Sequence, residues 1–212
     1  MLSIYPTLID SFQWYKKIPS DEKFNELIDK INRVKPKEFP LAAKKGVQFE
    51  DCVNQLLKGA KVKNSNGVYL AKDFEFSEVI VNKIVSKLAN AKKQQEYIQG
   101  IVETEIGKVK LYGFVDYTYP NSYVDLKTTG KYTFGKYKSN NQHKCYSLIS
   151  KQNGKQISDF KYLITDFKHV FVEKYECTDQ LHQEFLNDVY EFNDFLQTNR
   201  SLITDTKIFG NA

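Results

Sequence analysis

The 212-residue sequence contains 31 lysines and arginines against 26 acidic residues, a formal net charge of +5, and 41% of its residues are hydrophobic. This balance excludes an intrinsically disordered chain and suits one globular domain with a sizeable core. No apolar run approaches the ~20 residues that span a bilayer, and the N-terminus lacks the basic start and apolar stretch of a secretory signal. We therefore expect a cytoplasmic protein that makes no contact with a membrane.

The three cysteines, Cys52, Cys145 and Cys177, are dispersed and form no C-x-x-C pair. Their spacing argues against a disulfide framework and against a tetrahedral metal site, and it suits a reducing compartment. An enzyme built on Cys145 and His143 is disfavoured, because side chains two positions apart on a helix diverge.

The first 40 residues predict short helices. Residues 8–17 are typical of one helix, and Ser20 is placed to cap a second, whose apolar positions follow the helical period up to Val34. Pro36 and Pro40 then interrupt the pattern. We therefore predict an N-terminal helical appendage in residues 1–40 and a core domain in residues 41–212.

The core sequence begins with helices and then changes to strands. We predict helices over residues 41–58, ended by Gly59, and over residues 77–91, capped by Ser77. The predicted strands are listed in order: 97–106, 109–119, 123–128, 160–165 and 169–175. Further helices are predicted over residues 140–151 and 179–198. This order predicts an α/β sandwich with a central mixed sheet flanked by helices.

Two short apolar strands end in charged residues. Gly113-Phe-Val-Asp116 is followed nine positions later by Asp125-Leu-Lys127. Because successive strand residues point to opposite faces, Asp125 and Lys127 share a face while Leu126 points into the core. Two carboxylates on adjacent strands can hold a hard divalent cation, with the ammonium beside it to orient water or phosphate.

Two helices can add polar groups to this site. On the helix over residues 41–58, Glu50 borders an apolar stripe, and Gly46 lets the helix approach the sheet closely. Taken alone, Glu50 is better interpreted as a boundary glutamate of an ordinary surface helix; as a third carboxylate over the sheet it could bind a cation or hold a metal-bound water. On the helix over residues 140–151, Gln142 and Tyr146 are four apart and share a face, where they suit a phosphate or a sugar. A boundary position is an equally good interpretation of that pair.

The charge is distributed unevenly. Residues 128–158 contain six lysines and no acid, with aromatic residues between them. The lysines are Lys131, Lys136, Lys138, Lys144, Lys151 and Lys155. Residues 173–194 instead contain seven acids against Lys174. This asymmetry predicts one face for a polyanion and one face kept away from it.

Four motifs in this order resemble those of the PD-(D/E)XK nuclease superfamily. They are Gly46-x-x-Phe49-Glu50, Gly113-Phe-Val-Asp116, Asp125-Leu-Lys127 and Gln142-x-x-x-Tyr146. The last motif resembles the RecB-like branch, which includes lambda-type phage exonucleases. The resemblance covers roughly residues 41–165 and implies a restriction-endonuclease-like α/β sandwich.

The resemblance also implies a role for each matching residue. Asp116, Asp125 and the backbone carbonyl of Leu126 would ligate Mg²⁺ or Mn²⁺, and Glu50 would complete the metal shell or orient the attacking water. Lys127 would position that water and stabilise charge on the phosphate. Further residues would contact the active-site loop and the DNA backbone; they are Gln142, Tyr146, Lys131, Lys136 and Lys138. Some relatives hold an iron–sulfur cluster through four cysteines, and the three dispersed cysteines here predict none.

We therefore predict a Mg²⁺-dependent deoxyribonuclease, an exonuclease in preference to an endonuclease, acting in recombination, repair or phage DNA processing. The expected setting is the cytoplasm of a bacterium or of a phage-infected host cell. Expected partners are DNA, a recombination or single-strand-annealing protein, and further copies of the chain in a homo-oligomer. The alternative is a nucleic-acid-binding module that keeps the fold and does not cleave.

Overall fold

Amphipathic helices and short apolar strands form two packed layers around a central sheet. The computed structural model describes residues 1–36 and 38–210. The α-helices are α1 (Pro6–Lys17), α2 (Asp21–Ile31), α3 (Leu41–Leu57), α4 (Glu78–Leu88), α5 (Gln142–Gln152) and α6 (Asp179–Thr198). The strands are β1 (Leu2–Ile4), β2 (Asn64–Ser65), β3 (Val68–Leu70), β4 (Glu75–Ser77), β5 (Lys93–Thr104), β6 (Gly107–Thr118), β7 (Ser122–Thr128), β8 (Asp159–Thr165) and β9 (Val170–Glu176). Two 3-10 helices follow, at Arg200–Leu202 and Thr206–Phe209.

The main sheet is mixed, as the sequence predicts. Its order is β1-β6-β7-β8-β9, and β5 also pairs with β6. The β1–β6 and β7–β8 pairs are parallel, and the β5–β6, β6–β7 and β8–β9 pairs are antiparallel. Strands β2, β3 and β4 form a separate small antiparallel sheet. The predicted α/β architecture, a mixed sheet flanked by helices, is confirmed.

Because successive side chains of a strand point to opposite faces, the apolar side chains of the main sheet lie in two hydrophobic clusters, one on each face. Along β8, Phe160 and Tyr162 enter the larger cluster, which also contains residues of α1, α2, α5 and α6, whereas Leu163 enters the smaller one. The smaller cluster contains Phe49 of α3 and Val81 of α4. The helices are therefore divided between the two faces, with α3 and α4 on one and the others opposite.

The N-terminal segment packs with the rest of the protein. Leu2–Ile4 forms a strand parallel to β6, which the sequence analysis did not predict, and Leu8, Ile9 and Phe12 of α1 lie in the larger cluster. Ser20 caps α2 as predicted, its hydroxyl accepting from the Lys23 backbone N–H at 3.2 Å. The proposed division of the chain at residue 40 stays a prediction.

The strand predictions missed the shortest elements. The small sheet formed by residues 64–77 was not predicted, because strands of two or three residues contain too few positions to show an alternation. Within the described part of the chain, no helix is long and apolar enough to cross a membrane.

Replacing Ile4 by alanine tests whether β1 belongs to the cooperative core. Ile4 is fully buried, so Ile4→Ala should lower the free energy of unfolding by about 2–5 kcal/mol. The measurement is urea unfolding at equilibrium. Ile101→Ala is the matched control, since Ile101 on β5 is half exposed and should change that energy by less than about 0.5 kcal/mol. An unchanged midpoint for Ile4→Ala would show that the N-terminal strand unfolds separately.

Candidate active site

The site lies where β6 and β7 diverge. Strand β6 pairs with β5 over its whole length, so β1 and β7 occupy the two ends of its other edge. The β6–β7 ladder contains two residue pairs, Tyr117–Val124 and Thr118–Tyr123. Beyond them, the backbone N–H of Leu126 donates to Asp116 Oδ2 at 2.9 Å. A carboxylate from one strand therefore binds the backbone of the other at the fork.

Asp125 and Lys127 share a face of β7, as predicted. Lys127 Nζ lies 2.7 Å from Asp125 Oδ2, and the Asp125 side chain is almost fully buried. Asp125 Oδ1 accepts from Gln142 Nε2 of α5 at 2.8 Å. Leu126 points to the opposite face and enters the smaller cluster. The structure thus brings the Asp125-Leu-Lys127 motif together with Gln142.

Glu50 reaches the fork from α3 because that helix lies close to β7. A Cβ atom built on Gly46 would lie 2.6 Å from Thr128 Oγ1, so a side chain at position 46 would push the helix away. The predicted role of Gly46 in close approach is confirmed. Glu50 is half-buried, and its carboxylate is linked to Asp116 through a side chain that the sequence analysis did not select.

That side chain is Gln95 of β5. Its amide nitrogen donates to Glu50 Oε1 at 2.7 Å and to Asp116 Oδ1 at 3.2 Å. The register places Gln95 opposite Asp116, between the pairs Gln94–Tyr117 and Glu96–Val115. Its backbone has φ 51°, a left-handed conformation that is uncommon for a residue with a side chain.

The distorted backbone changes the direction of the side chains around Asp116. Val115 lies in the larger cluster and Tyr117 in the smaller one, although residues two apart on a regular strand share a face. Such local distortions re-aim side chains next to active sites. Here the distortion turns Asp116 toward both Glu50 and the fork.

Tyr146 packs against Gly113, the first residue of its motif. A Cβ atom on Gly113 would lie 2.6 Å from the Tyr146 hydroxyl and ring, so only glycine leaves room for this contact. Tyr146 is buried. The Gln142-x-x-x-Tyr146 motif therefore contacts both strand motifs, through Asp125 and through Gly113.

Three carboxylates in this small volume repel one another. Burial, followed by the charges of Asp125 and Glu50, raises the pKa of Asp116 to about 8. Burial and the charge of Asp125 also raise the pKa of Glu50. Burial opposes the charge on Lys127, but Asp125 and Asp116 outweigh it and raise the pKa of the ammonium. The site therefore holds more carboxylates than one lysine can balance in their charged form, and without a cation they retain protons to higher pH.

Protein donors already bind most of these carboxylate oxygens. The donors are the Gln95 amide, the Leu126 N–H and the Gln142 amide, whereas the buried Asp125 Oδ2 has only the ion pair with the Lys127 ammonium. Across residues 1–36 and 38–210, no three histidine, cysteine, aspartate or glutamate side chains are grouped as a metal site requires. The residue types still fit a hard cation, because carboxylate and carbonyl oxygens are the ligands that Mg²⁺ takes.

The predicted lysines Lys131, Lys136 and Lys138 lie in the connection between β7 and α5, and all three are exposed. Lys136 Nζ also donates within the connection, to the Thr129 hydroxyl at 2.5 Å and to the Lys131 carbonyl at 3.0 Å. The ammonium of Lys136 therefore braces the loop.

The predicted separation of basic and acidic faces is wrong in part. Lys144 pairs with Glu184 at 3.3 Å, and Lys151 pairs with Asp179 at 2.5 Å. These pairs form because α5 and α6 pack side by side on one face of the sheet. The two lysines are thus neutralised by acids from the stretch that was expected to stay apart.

Sequence reasoning also missed Asp10, which lies on α1. Its Oδ1 accepts from the Asn141 backbone N–H at 2.7 Å, at the start of the helix that carries Gln142. Burial raises the pKa of Asp10 to about 6, although Asn141 and Lys127 act in the opposite direction. No sequence signal indicated this contact, because it joins positions far apart in the chain.

The raised pKa of Asp116 predicts an unusual pH dependence of stability without divalent cations. In the unfolded chain this carboxyl loses its proton near pH 4, whereas in the folded protein it keeps the proton up to about pH 8. The folded state therefore binds more protons between these limits, so its stability falls as pH rises through them. Asp116→Asn should remove the contribution of Asp116 and make this slope shallower, measured by urea unfolding in EDTA at a series of pH values.

Asp166→Asn provides the control. Although burial opposes the shift, hydrogen bonds from the His169 side chain and backbone lower the pKa of Asp166 to about 2. Asp166 therefore contributes to the pH dependence of stability only below pH 4, and Asp166→Asn should leave the slope between pH 4 and pH 8 unchanged. Equal slopes between pH 4 and pH 8 for the wild type and Asp116→Asn would contradict the assigned electrostatics.

Comparisons with known proteins show a shared fold. No protein-family model matches the sequence, and no curated protein matches it. The structure is similar to that of a candidate exonuclease from Eubacterium rectale, with a TM-score of 0.57 and 15% identity over 95% of this chain and 82% of the other. It is also similar to the protein SSO0001, with a TM-score of 0.51 and 11% identity over 90% of this chain and 76% of the other. At these identities, the likeness shows that the chain adopts the same fold.

Proposed function

We propose that this protein is a metal-dependent nuclease that hydrolyses the phosphodiester bonds of DNA. The observation that carries this proposal is the convergence of Glu50, Asp116 and Asp125 with Lys127 at the fork between β6 and β7. A protein that only binds DNA gains nothing from holding carboxylates against phosphate, because like charges repel. The fold shared with a candidate exonuclease supports the same conclusion.

The residues at the fork fit a divalent cation, Mg²⁺ or Mn²⁺. Asp116, Asp125 and the backbone carbonyl of Leu126 would hold it, and Glu50 would complete its shell. The crowding of carboxylates supports this assignment. Burial first, and then repulsion between the carboxylates, raises the pKa of Asp116 and of Glu50, and a bound cation would favour the charged form of both groups. When bound, such a cation lowers the pKa of water and neutralises charge on phosphate oxygens.

The chain's own residues supply the remaining functions. Lys127 is held by Asp125 at 2.7 Å, so its ammonium has a fixed place from which it can orient water and stabilise charge on phosphate. Gln142 fixes the other oxygen of Asp125 at 2.8 Å. Tyr146 supports the Gly113 backbone, three residues before Asp116. We assign Gln142 and Tyr146 to positioning and Lys127 to catalysis.

One observation favours the alternative, a module that binds nucleic acid without cleaving it. Protein donors bind both oxygens of Asp116 and one oxygen each of Glu50 and Asp125, and the Gln95 amide bridges Glu50 and Asp116. In the nuclease, those hydrogen bonds must yield to a cation. In the alternative, they are the permanent state of the site.

Incubation with linear and closed circular DNA decides between the two functions. A nuclease should degrade DNA with Mg²⁺ or Mn²⁺ and leave it intact in EDTA. Loss of linear DNA alone would identify an exonuclease, which is the activity that we propose. If neither substrate is lost at protein excess with either cation, the chain does not cleave DNA. A role in recombination, repair or phage DNA processing, a single-strand-annealing partner and a homo-oligomeric state stay predictions.

Replacement of Lys127 by alanine should separate cleavage from binding. Removal of one preorganised charge-stabilising group typically costs about 10²–10³ in rate, so Lys127→Ala should lower cleavage by at least that factor. DNA affinity in EDTA should change little, because backbone contacts are spread over several lysines. Lys108→Ala is the matched control, since Lys108 lies exposed at the β5–β6 turn and should leave both quantities unchanged. Near-normal cleavage by Lys127→Ala would remove Lys127 from the mechanism.

A further inference from the structure

Phe134 is the most exposed of the large hydrophobic side chains in the described part of the chain. Its side chain is 93% exposed, and it lies in the connection between β7 and α5, residues 129–141, which we call the basic loop. Single exposed apolar residues are common on protein surfaces. The surroundings of Phe134 are what make its exposure informative.

Two tyrosines, one on each side of Phe134 in the chain, anchor the basic loop by stacking on aromatic rings of the main sheet. The ring of Tyr132 stacks on Phe171 of β9, with centroids 4.3 Å apart. The buried ring of Tyr137 stacks on Tyr162 of β8, with centroids 5.1 Å apart. The other two aromatic side chains of the loop therefore pack on the sheet, and Phe134 projects from between them.

Hydrogen bonds brace the same loop. Glu173 is buried beneath it and accepts from the Tyr137 backbone N–H at 3.2 Å. Lys136 donates to the Lys131 carbonyl and to the Thr129 hydroxyl. A loop held by these contacts presents Phe134 to solvent in a defined place, so the ring loses little conformational freedom when it binds a partner.

The basic loop also lies beside the candidate active site. Lys127 Nζ lies 5.9 Å from the ring centroid of Tyr162, the ring on which Tyr137 stacks. Phe134 is three residues from Tyr137, so their Cα atoms are at most about 11 Å apart. A strand that crosses the catalytic groups can therefore reach Phe134 within a few nucleotides.

The charge of the loop fits a polyanion. Residues 128–158 contain no acidic residue, and Lys131 and Lys138 are exposed on either side of Phe134. An aromatic ring among ammonium groups is the combination that binds single-stranded nucleic acid, because the ring stacks on a base while the lysines contact phosphates. In a duplex the bases stack on one another, so an internal base pair offers no free face.

We propose that Phe134 is a stacking platform for an unpaired base of a DNA strand that enters the active site. This inference rests on the proposed function and specifies its substrate as DNA with a single-stranded end.

Fluorescence titration in EDTA tests stacking without cleavage. The probe is a single-stranded oligonucleotide that contains 2-aminopurine, whose emission is quenched when an aromatic ring stacks on it. The wild type should quench the emission, and Phe134→Ala should bind about 5- to 100-fold more weakly with the quenching lost, the range expected for one base–aromatic stack. Phe134→Trp should restore both, and a blunt duplex should bind the wild type and Phe134→Ala equally.

Ile106→Ala is the matched control. Ile106 is also exposed, but it lies in the β5–β6 turn, ten residues before Asp116 in the chain, or roughly 30 Å along β6. This variant should bind the oligonucleotide like the wild type. Phe134→Ala should keep the wild-type free energy of unfolding, because an exposed ring contributes little to the core.

Several results would overturn the inference. The inference is wrong if Phe134→Ala binds the oligonucleotide as tightly as the wild type does. It is also wrong if the substitution weakens binding of the blunt duplex by the same factor, or if the wild type does not bind the single strand. If Phe134→Ala has a different sedimentation coefficient from the wild type but the same oligonucleotide affinity, Phe134 belongs to a self-association surface instead. The proposed nuclease function is judged separately, since cleavage with Mg²⁺ can be present while stacking fails, and stacking can be present in a protein that does not cleave.

Discussion

The fork between β6 and β7 is the constraint on which the site depends. The ladder stops after two residue pairs, and the Asp116 carboxylate receives the Leu126 N–H. A buried backbone donor without a partner is costly, so this hydrogen bond both ends the ladder and fixes Asp116. The divergence also opens the space into which α5 inserts Gln142 and Tyr146. One interrupted ladder therefore positions groups from three elements.

The site concentrates more carboxylates than its single ammonium could balance if all were charged. Glu50, Asp116 and Asp125 face Lys127, and the neutral amide of Gln95 supplies further donors to two of the carboxylates. A protein that needed only stability would replace such a cluster by apolar side chains. The arrangement is instead typical of functional sites, where unfavourable charge is held in place by the surrounding fold.

Sequence reasoning identified the elements that carry clear periodicity and missed contacts that depend on backbone detail. Two elements are long enough to show a clear period of apolar residues: the helix over residues 179–198 and the hairpin that contains Asp116. Strand β1, with three residues, is not. Gln95 could not be found, since its role arises from a left-handed backbone opposite Asp116. Glu173 was grouped with the acidic stretch of residues 173–194, yet the structure buries it under the basic loop, where the backbone N–H of the distant residue Tyr137 donates to it. Residue type and order were sufficient to identify the motifs. They were not sufficient to predict which residues become neighbours in the folded protein.

The pairing of β1 with β6 has a consequence for synthesis on the ribosome. Leu2–Ile4 leaves the ribosome well before its partner residues Val109, Lys110 and Leu111, which follow far later in the chain. Loop closure over such a separation is slow compared with local contacts. Helices α3 and α4 and the small sheet between them have near neighbours and can associate early. In the nascent chain, β1 therefore stays unpaired until β6 has emerged, and the main sheet is completed only after the β5–β6 hairpin has left the ribosome.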